Sequence, residues 1–98
     1  MDKLQHLQQR IERFQTEKFT GQLLSAKLKH LEKEIGELQT DPDDLMEWAD
    51  VFILLLGSAA EYGLNTDELI ALAHKKMNIN DSRTWGAPDA EGVCHHIE

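Results

Sequence analysis

The sequence predicts an all-α protein built as a four-helix bundle, and three observations lead to that expectation. Apolar residues recur every three or four positions over most of the chain, as they do on one face of a helix. The two prolines, Pro42 and Pro88, leave long stretches without a helix breaker. Turn-forming residues at Gly21, Pro42 and Gly63 divide these stretches into four segments. A chain of 98 residues is long enough for one domain and no more.

The first two helices follow from their apolar spacing. The first carries Leu4, Leu7, Ile11 and Phe14, and the second carries Leu24, Leu28, Leu31, Ile35 and Leu38. The segment Thr20-Gly21-Gln22 is the predicted break between them. The second helix is expected to stop near Thr40-Asp41-Pro42, where the proline cannot continue it.

Helix-capping residues place the other two helices. Asp41 is the predicted N-cap of the third helix with Pro42 at its first position, and Gly63 suits its C-terminus. Asn65 and Glu68 have the spacing of a capping box, so a fourth helix is expected from there through Met77. Residues 85–98 are predicted to form a loop and tail within the single domain 1–98.

The third helix contains Val51–Leu56, which is apolar on every side. Such a helix is normally buried on every side, and three other helices of a chain this short cannot easily enclose it. We therefore expect a second subunit to cover part of it, in a homodimer or homotetramer. The alternative is the central helix of a monomeric bundle.

Charge and composition restrict the function classes. The net charge is −8, from 18 acidic and 10 basic residues. Nucleic-acid backbones and anionic membranes require a basic face, so neither is an expected partner. A nucleotide remains possible, because a metal ion can bridge carboxylates and phosphates. Cys94 cannot form an internal disulfide, and the N-terminus lacks an apolar signal region, so we expect a cytoplasmic protein.

Two pairs of acids provide the candidate catalytic and metal-binding residues. Glu34 and Glu37 lie on the second helix, and Glu47 and Asp50 on the third. Residues three apart share a helix face, and at a rise of about 1.5 Å per residue the two pairs reach overlapping heights in a tight antiparallel hairpin. Four clustered acids repel one another, and Mg²⁺ compensates such charge. Asp50 introduces an apolar run and is poorly placed for solvation. The alternative is that these acids are solvated helix edges.

A basic stripe on the fourth helix is the candidate phosphate-binding surface. Lys76, Asn80 and Arg83 fall at positions i, i+4 and i+7. Lysine offers phosphate oxygens a point charge and arginine a planar fork. A solvated face or ion pairs between subunits remain equal alternatives from spacing alone. Trp85 follows this stripe and is a candidate to stack on a base, although a packing role is equally compatible.

At these residues the chain resembles the MazG-like all-α nucleoside triphosphate pyrophosphohydrolases, in particular the small dATP/dGTP branch of phages and bacteria. The matching text is Glu34-Ile35-Gly36-Glu37, then Glu47-Trp48-Ala49-Asp50, then Lys76, Asn80, Arg83 and Trp85. The resemblance implies Mg²⁺-dependent attack of water on a nucleoside triphosphate, releasing pyrophosphate and a monophosphate, with Mn²⁺ as a possible substitute. The four acids become metal ligands, and one of them is a candidate to orient or deprotonate the water.

Some residues depart from this pattern or admit other interpretations. Lys33 precedes Glu34 where many relatives carry a further acid, so the number of metal ions stays open. His30 is interpreted as a structural neighbour of Glu34 and Trp48 as a wall of the core. Cys94-His95-His96 gives only a weak soft-metal pattern. The alternative functions are a non-enzymatic, homo-oligomeric helical module and a nucleotide-binding regulator.

Overall fold

The structure, a computed structural model, describes residues 2–97. Four helices account for most of these residues: α1 (Lys3–Lys18), α2 (Leu24–Thr40), α3 (Leu45–Tyr62) and α4 (Thr66–Ser82). The prediction of an all-α fold with four helices is therefore confirmed. No helix among the described residues is long and apolar enough to cross a membrane.

Capping residues set the ends of the helices. The predicted capping box of α4 is present, because the Glu68 N–H donates to Asn65 Oδ1 at 2.8 Å and the Asn65 N–H to Glu68 Oε1 at 3.4 Å. Gly63 ends α3 with φ at 104°, a left-handed conformation that glycine adopts without a steric cost. A second capping box, between Asp2 and Gln5, begins α1 and was missed from the sequence.

The turn between α2 and α3 differs from the prediction. Asp41 was expected to cap α3, but it ends α2 instead, and Asp44 caps α3 by accepting the Met46 N–H at 3.0 Å. The Asp44 N–H donates to the Asp41 carbonyl at 3.2 Å, which closes a turn around Pro42 and Asp43. Aspartate is a favourable N-cap at either position. Pro42 and Asp43 are needed to reverse the chain direction, so α3 begins only after Asp44.

The described chain divides between Glu68 and Leu69 into two compact units. In the first unit, α3 packs against both α1 and α2. Buried amides hold α1 to α3: Gln8 Nε2 donates to the carbonyls of Leu56 at 3.2 Å and Leu64 at 3.1 Å, and Gln15 Nε2 donates to that of Gly57 at 3.3 Å. The prediction that residues 1–98 act as a single domain stays a prediction.

The buried face of α1 only partly coincides with the apolar stripe taken from the sequence, of which Ile11 alone is buried. Gln8, Ile11 and Gln15 are buried, whereas Phe14 is 47% exposed and packs edge-on against Phe19. The amides find backbone acceptors on α3, which offsets the cost of burying them. The face of α1 that packs against α3 therefore carries the two buried glutamines beside Ile11.

Helix α3 is only partly covered within the chain. Leu54 and Leu56 are buried, as expected. Phe52 and Leu55 are 43% and 49% exposed, so α3 is not enclosed within the single chain, as expected from its apolar run. Large apolar side chains on α2 and α3 share this exposure: Leu28, Ile35, Leu45, Met46 and Trp48. The expectation of a second subunit stays a prediction.

The second unit consists of most of α4 and the segment that follows it. Trp85 and His96 form an isolated antiparallel β-bridge, and their rings meet edge to face at 5.9 Å. The Gly86 N–H donates to the His95 carbonyl at 2.9 Å. The predicted loop and tail therefore fold back on each other instead of extending from α4.

Gly57 and Gly36 give a matched pair of stability predictions. A Cβ at Gly57 would overlap the buried Gln15 amide and approach Ile11 Cγ2 at 3.1 Å. We expect Gly57→Ala to lower the free energy of unfolding by about 1–2 kcal/mol, because the amide must move and lose its hydrogen bond. Urea unfolding followed by circular dichroism at fixed protein concentration measures this change.

Gly36→Ala is the control for helix propensity. Gly36 lies in α2 with open space around its Cβ direction, so alanine should raise the free energy of unfolding by about 0.5–1 kcal/mol. Stabilisation by both substitutions would show that α1 does not approach α3 as closely as described.

Candidate functional site

Three of the predicted acids converge where α2 meets α3. Glu34, Glu37 and Glu47 each place a carboxylate oxygen within 4.8 Å of the other two. Glu34 and Glu37 lie three residues apart on one face of α2. Glu47 lies in the first turn of α3, and the short turn from Asp41 to Asp44 brings it beside them.

Two oxygens of this cluster are buried without a hydrogen-bond partner. They are Glu34 Oε2 and Glu47 Oε2. The side chain of Glu34 is only 14% exposed. A buried carboxylate oxygen without a donor costs free energy, so the fold presents two strong acceptors that no donor among residues 2–97 satisfies.

The environment raises the pKa of Glu34 above its ordinary value. The largest cause is the adjacent Glu37 carboxyl, with which the protonated form of Glu34 shares a hydrogen bond. Burial and the negative charges of Glu37 and Asp50 act in the same direction, and the His30 imidazole opposes them. Glu34 therefore holds a proton to higher pH than a solvated glutamate does.

The pKa of Glu47 is also raised above its ordinary value, but its largest cause differs from that for Glu34. Desolvation of its carboxyl is the largest cause, followed by the charges of Glu37, Glu34, Asp44 and Asp50. Every charge that acts on Glu47 in this way is therefore negative, and all of them raise its pKa.

His30 takes the role expected of it. Its Nε2 lies 3.4 Å from Glu34 Oε1, one helical turn along α2. Its ring also meets the Phe19 ring edge to face at 6.4 Å between centroids. His30 therefore positions one oxygen of Glu34 and leaves Oε2 free of hydrogen bonds.

Asp50 occupies a different environment from the other three acids. It is exposed, so the expectation that it lacks solvation is wrong. It still raises the pKa of both Glu34 and Glu47 through its charge, and it therefore lies near the cluster. Its assignment as a metal ligand stays a prediction.

Trp48 does not form a wall of the core within this chain. It is 57% exposed, and its indole Nε1–H donates to the Pro42 carbonyl at 2.9 Å. This hydrogen bond ties α3 to the turn that follows α2. Trp48 therefore stabilises the turn on which the position of Glu47 depends.

The predicted substrate contacts all lie in the second unit. Lys76 and Asn80 are on α4, and Arg83 follows its last residue with its N–H donating to the Asn80 carbonyl at 3.2 Å. The same carbonyl accepts the Trp85 indole N–H at 2.9 Å. Trp85 is therefore held by a hydrogen bond and by His96 while 45% of it stays exposed. Their contact with a nucleotide stays a prediction.

The histidine-rich tail gains no support as a soft-metal site. His95 Nε2 lies 2.8 Å from Asp89 Oδ2, and Cys94 is exposed. The pKa of Asp89 is lowered, first by the hydrogen bond from the Val93 N–H and then by His95. These contacts close a loop in the second unit.

The carboxylate cluster has the chemistry of a hard divalent cation site. Its donors are all oxygens, its charge is negative, and two of its oxygens are buried without donors. Mg²⁺ and Mn²⁺ prefer such ligands and keep further positions for water and phosphate oxygens. The residues present therefore fit a divalent metal ion.

Comparisons with known proteins agree with this chemistry. Residues 7–98 match the dATP/dGTP pyrophosphohydrolase family. The fold is similar to that of a MazG-like pyrophosphohydrolase from cyanophage S-2L, solved bound to dGDP and three catalytic Mn²⁺ ions per active site. The TM-score is 0.83, the sequence identity is 28%, and the alignment covers 100% of both chains. A comparison with curated proteins gives no match.

The family match extends over nearly the whole chain and includes α2 and α3, the helices that carry the carboxylate cluster. The chain therefore belongs to the dATP/dGTP pyrophosphohydrolase family and is a nucleotide pyrophosphohydrolase with the MazG-like all-α fold.

Proposed function

We propose that this enzyme hydrolyses a nucleoside triphosphate to the monophosphate and pyrophosphate, with purine deoxynucleotides (dATP and dGTP) as substrates and Mg²⁺ as the cofactor. Mn²⁺ is the expected substitute. The name of the matching family and the dGDP and Mn²⁺ bound by the cyanophage relative support the substrate and metal classes.

One observation carries the proposal. Three carboxylates lie within 4.8 Å of one another, and two of their oxygens are buried without a partner. Solvated helix edges, the alternative considered from the sequence, would leave every oxygen in contact with water. A cation gives these two oxygens the partner that no hydrogen-bond donor among the described residues supplies.

Glu34, Glu37 and Glu47 would hold the metal, and Asp50 is the proposed fourth ligand. When bound, divalent ions neutralise phosphate charge and generate a nucleophilic hydroxide from water. The protein positions its acids in advance: His30 holds one oxygen of Glu34 at 3.4 Å, and Trp48 fixes the turn before Glu47. A carboxylate that binds no metal is suited to accept a proton from the attacking water. Lys33 leaves the number of ions open.

The basic stripe of the second unit is the proposed phosphate-binding surface. Lys76 and Arg83 supply positive charge, and Asn80 supplies an amide between them. Trp85 stays partly exposed and offers an aromatic edge to a base or sugar. In a chain with net charge −8, such a stripe is suited to pyrophosphate oxygens.

We also propose a homodimer or homotetramer, because several large apolar side chains of α2 and α3 are exposed in the single chain and a second subunit would cover them. The substrate is a free nucleotide, with no role for nucleic acid or membrane, and the enzyme acts in the cytoplasm, that of the host if it is encoded by a phage. The non-enzymatic module and the slow regulator are disfavoured by the family match.

The first prediction about the proposed function concerns Glu47. We expect Glu47→Gln to lower kcat/KM for dGTP by about 100-fold or more, because it removes an anionic ligand of the metal ion that would neutralise the developing negative charge of the transition state. Asp50→Asn should also abolish most turnover. Pyrophosphate release with and without Mg²⁺, across the four deoxynucleoside triphosphates, measures both effects.

Glu32→Gln is the matched control, since Glu32 is an exposed acid on α2, the helix of Glu34 and Glu37, and lies outside the cluster. It should keep the wild-type rate, and all three variants should keep the helical circular dichroism signal. No pyrophosphate release from any nucleotide by the wild-type protein would sink the proposed function.

The second prediction concerns pH and cations. Folding raises the pKa of Glu34 and Glu47 above 4.5, so between 4.5 and the raised values the folded state binds more protons than the unfolded chain. Without metal, stability should therefore fall as pH rises through that window. Mg²⁺ competes with these protons and should raise the melting temperature more at pH 7.5 than at pH 5.0.

Thermal unfolding at matched ionic strength measures this difference. The increase should disappear in Glu47→Gln and persist in Glu32→Gln. An equal increase in all three proteins, or one that is larger at pH 5.0, would indicate that the cation acts elsewhere.

The third prediction concerns the basic stripe. We expect Lys76→Met and Arg83→Met each to raise KM for dGTP by about 10-fold or more, the effect of losing a charged hydrogen bond to phosphate. Lys75→Met carries the same charge change off the stripe and should leave KM unchanged. Equal KM values for Lys75→Met and Lys76→Met would remove the stripe from substrate binding.

A further inference from the structure

The chain folds back on itself after α4, within the second unit. The Ile97 N–H donates to the Thr84 carbonyl at 2.8 Å. Next to this contact, the Gly86 N–H donates to the His95 carbonyl at 2.9 Å. The segment that returns from the turn is therefore paired with the segment that follows α4. We call the closed loop formed by residues 84–97 the C-terminal clasp.

Asp89 organises the turn of the C-terminal clasp with both its side chain and its backbone. Its Oδ1 accepts the Glu91 N–H at 2.8 Å and the Val93 N–H at 3.0 Å. Its carbonyl accepts the Gly92 N–H at 2.9 Å, and its own N–H donates to the Val93 carbonyl at 2.8 Å. Gly92 has a φ of 82°, a left-handed conformation that glycine adopts without a steric cost. The hydrogen bonds of the turn therefore converge on one aspartate.

The second oxygen of Asp89 contacts the returning segment. Asp89 Oδ2 lies 2.8 Å from His95 Nε2, and His95 precedes His96 in the β-bridge to Trp85. The pKa of the Asp89 carboxyl is lowered, first by the Val93 N–H and then by His95, so the carboxylate persists to lower pH than that of a solvated aspartate. One side chain therefore holds both the turn and the segment that returns from it.

The C-terminal clasp restrains the Trp85 ring from two directions. Its indole Nε1–H donates to the Asn80 carbonyl at 2.9 Å, and the His96 ring meets it edge to face at 5.9 Å. Asn80 belongs to α4 and His96 to the returning segment. Nevertheless 45% of Trp85 stays exposed. The ring is therefore held in one orientation while part of it remains open to a ligand.

Order of this kind favours binding. A side chain that is already restrained loses less conformational freedom when a ligand contacts it. The restraint on Trp85 depends on His96, which is held in place by the pairing of the returning segment. That pairing in turn follows the turn that Asp89 closes. The position of Trp85 is thus linked to Asp89 through a chain of direct contacts.

We propose that Asp89 is a positioning residue for substrate binding, which holds the C-terminal clasp closed and so keeps Trp85 in its binding orientation. The proposal rests on the proposed function, in which the exposed part of Trp85 contacts the nucleotide. Asp89 itself touches no substrate. It lies outside the carboxylate cluster, so it affects the binding of the substrate and leaves the hydrolytic step unchanged.

The first test compares Asp89→Ala with Asp89→Asn by pyrophosphate release at varied dGTP. Alanine removes every side-chain acceptor of the turn, so KM should rise about 5- to 10-fold with kcat within about 2-fold of wild type. Asparagine keeps an acceptor oxygen for the Glu91 and Val93 N–H groups, so KM should return to within about 3-fold of wild type.

Glu91→Gln is the matched control, because it makes the charge change of Asp89→Asn in the same turn. Glu91 is exposed, and it contacts Asp89 through its N–H. It should keep the wild-type KM. If Asp89→Ala does not fold, His95→Ala provides the same test, since it removes the link from Asp89 to the returning segment and should also raise KM with kcat unchanged.

Two further measurements separate positioning from a general loss of structure. Hydrogen exchange of the Gly86 and Ile97 amides should become about 10-fold faster or more in Asp89→Ala, while the helical circular dichroism signal is kept. Trp85→Ala should raise KM by itself. Adding Asp89→Ala to it should change KM by less than about 2-fold, because residues that act through one another have non-additive effects.

The outcomes distinguish this proposal from the proposed function. Faster exchange of the Gly86 and Ile97 amides in Asp89→Ala with an unchanged KM would overturn the positioning role while the pyrophosphohydrolase function stands. Unchanged exchange would overturn it too, because Asp89 would then not hold the C-terminal clasp, and so would additive effects of Asp89→Ala and Trp85→Ala. Absence of pyrophosphate release from every nucleotide would instead remove the function on which the proposal rests.

Discussion

Three carboxylates converge within 4.8 Å beside the contact of α2 and α3, and the repulsion among them constrains the rest of the site. The turn from Asp41 to Asp44 sets the register that brings them together, and Trp48 holds that turn through the Pro42 carbonyl. The packing of α2 against α3 therefore offsets the electrostatic repulsion among these carboxylates. Raised carboxyl pKa values and orphaned oxygens are two consequences of that arrangement.

The sequence predicted the approach of these helices better than it predicted the surroundings of each acid. Spacing of three residues and an antiparallel hairpin are local properties, so Glu34, Glu37 and Glu47 could be grouped from the sequence alone. The burial of each oxygen depends on how far each helix rotates about its axis, which periodicity does not specify. For this reason Asp50 is exposed, although it introduces the most apolar run in the chain, and the more desolvated oxygens belong to Glu34 and Glu47.

Buried polar side chains were the main features that the sequence did not predict. Gln8 and Gln15 reach carbonyls 48 and 42 residues away, and Lys27 reaches Glu61. Each of them stands at a position that hydropathy assigns to the surface, and its partner becomes visible only in the folded chain. The same limit applies to α3, where Phe52 is apolar and yet exposed. Hydropathy predicted that the apolar residues of α3 are buried against another surface, but it does not identify the molecule that provides that surface.

One face of α2 carries two acids of the cluster together with a histidine that contacts one of them. His30 lies one turn before Glu34 on this face, and its Nε2 lies 3.4 Å from Glu34 Oε1. Because α2 is one continuous helix from Leu24 to Thr40, the spacing among His30, Glu34 and Glu37 is fixed unless the helix bends. A change that rotates α2 against α3 therefore displaces Glu34 and Glu37 together relative to Glu47, and it alters the geometry of all three carboxylates at once.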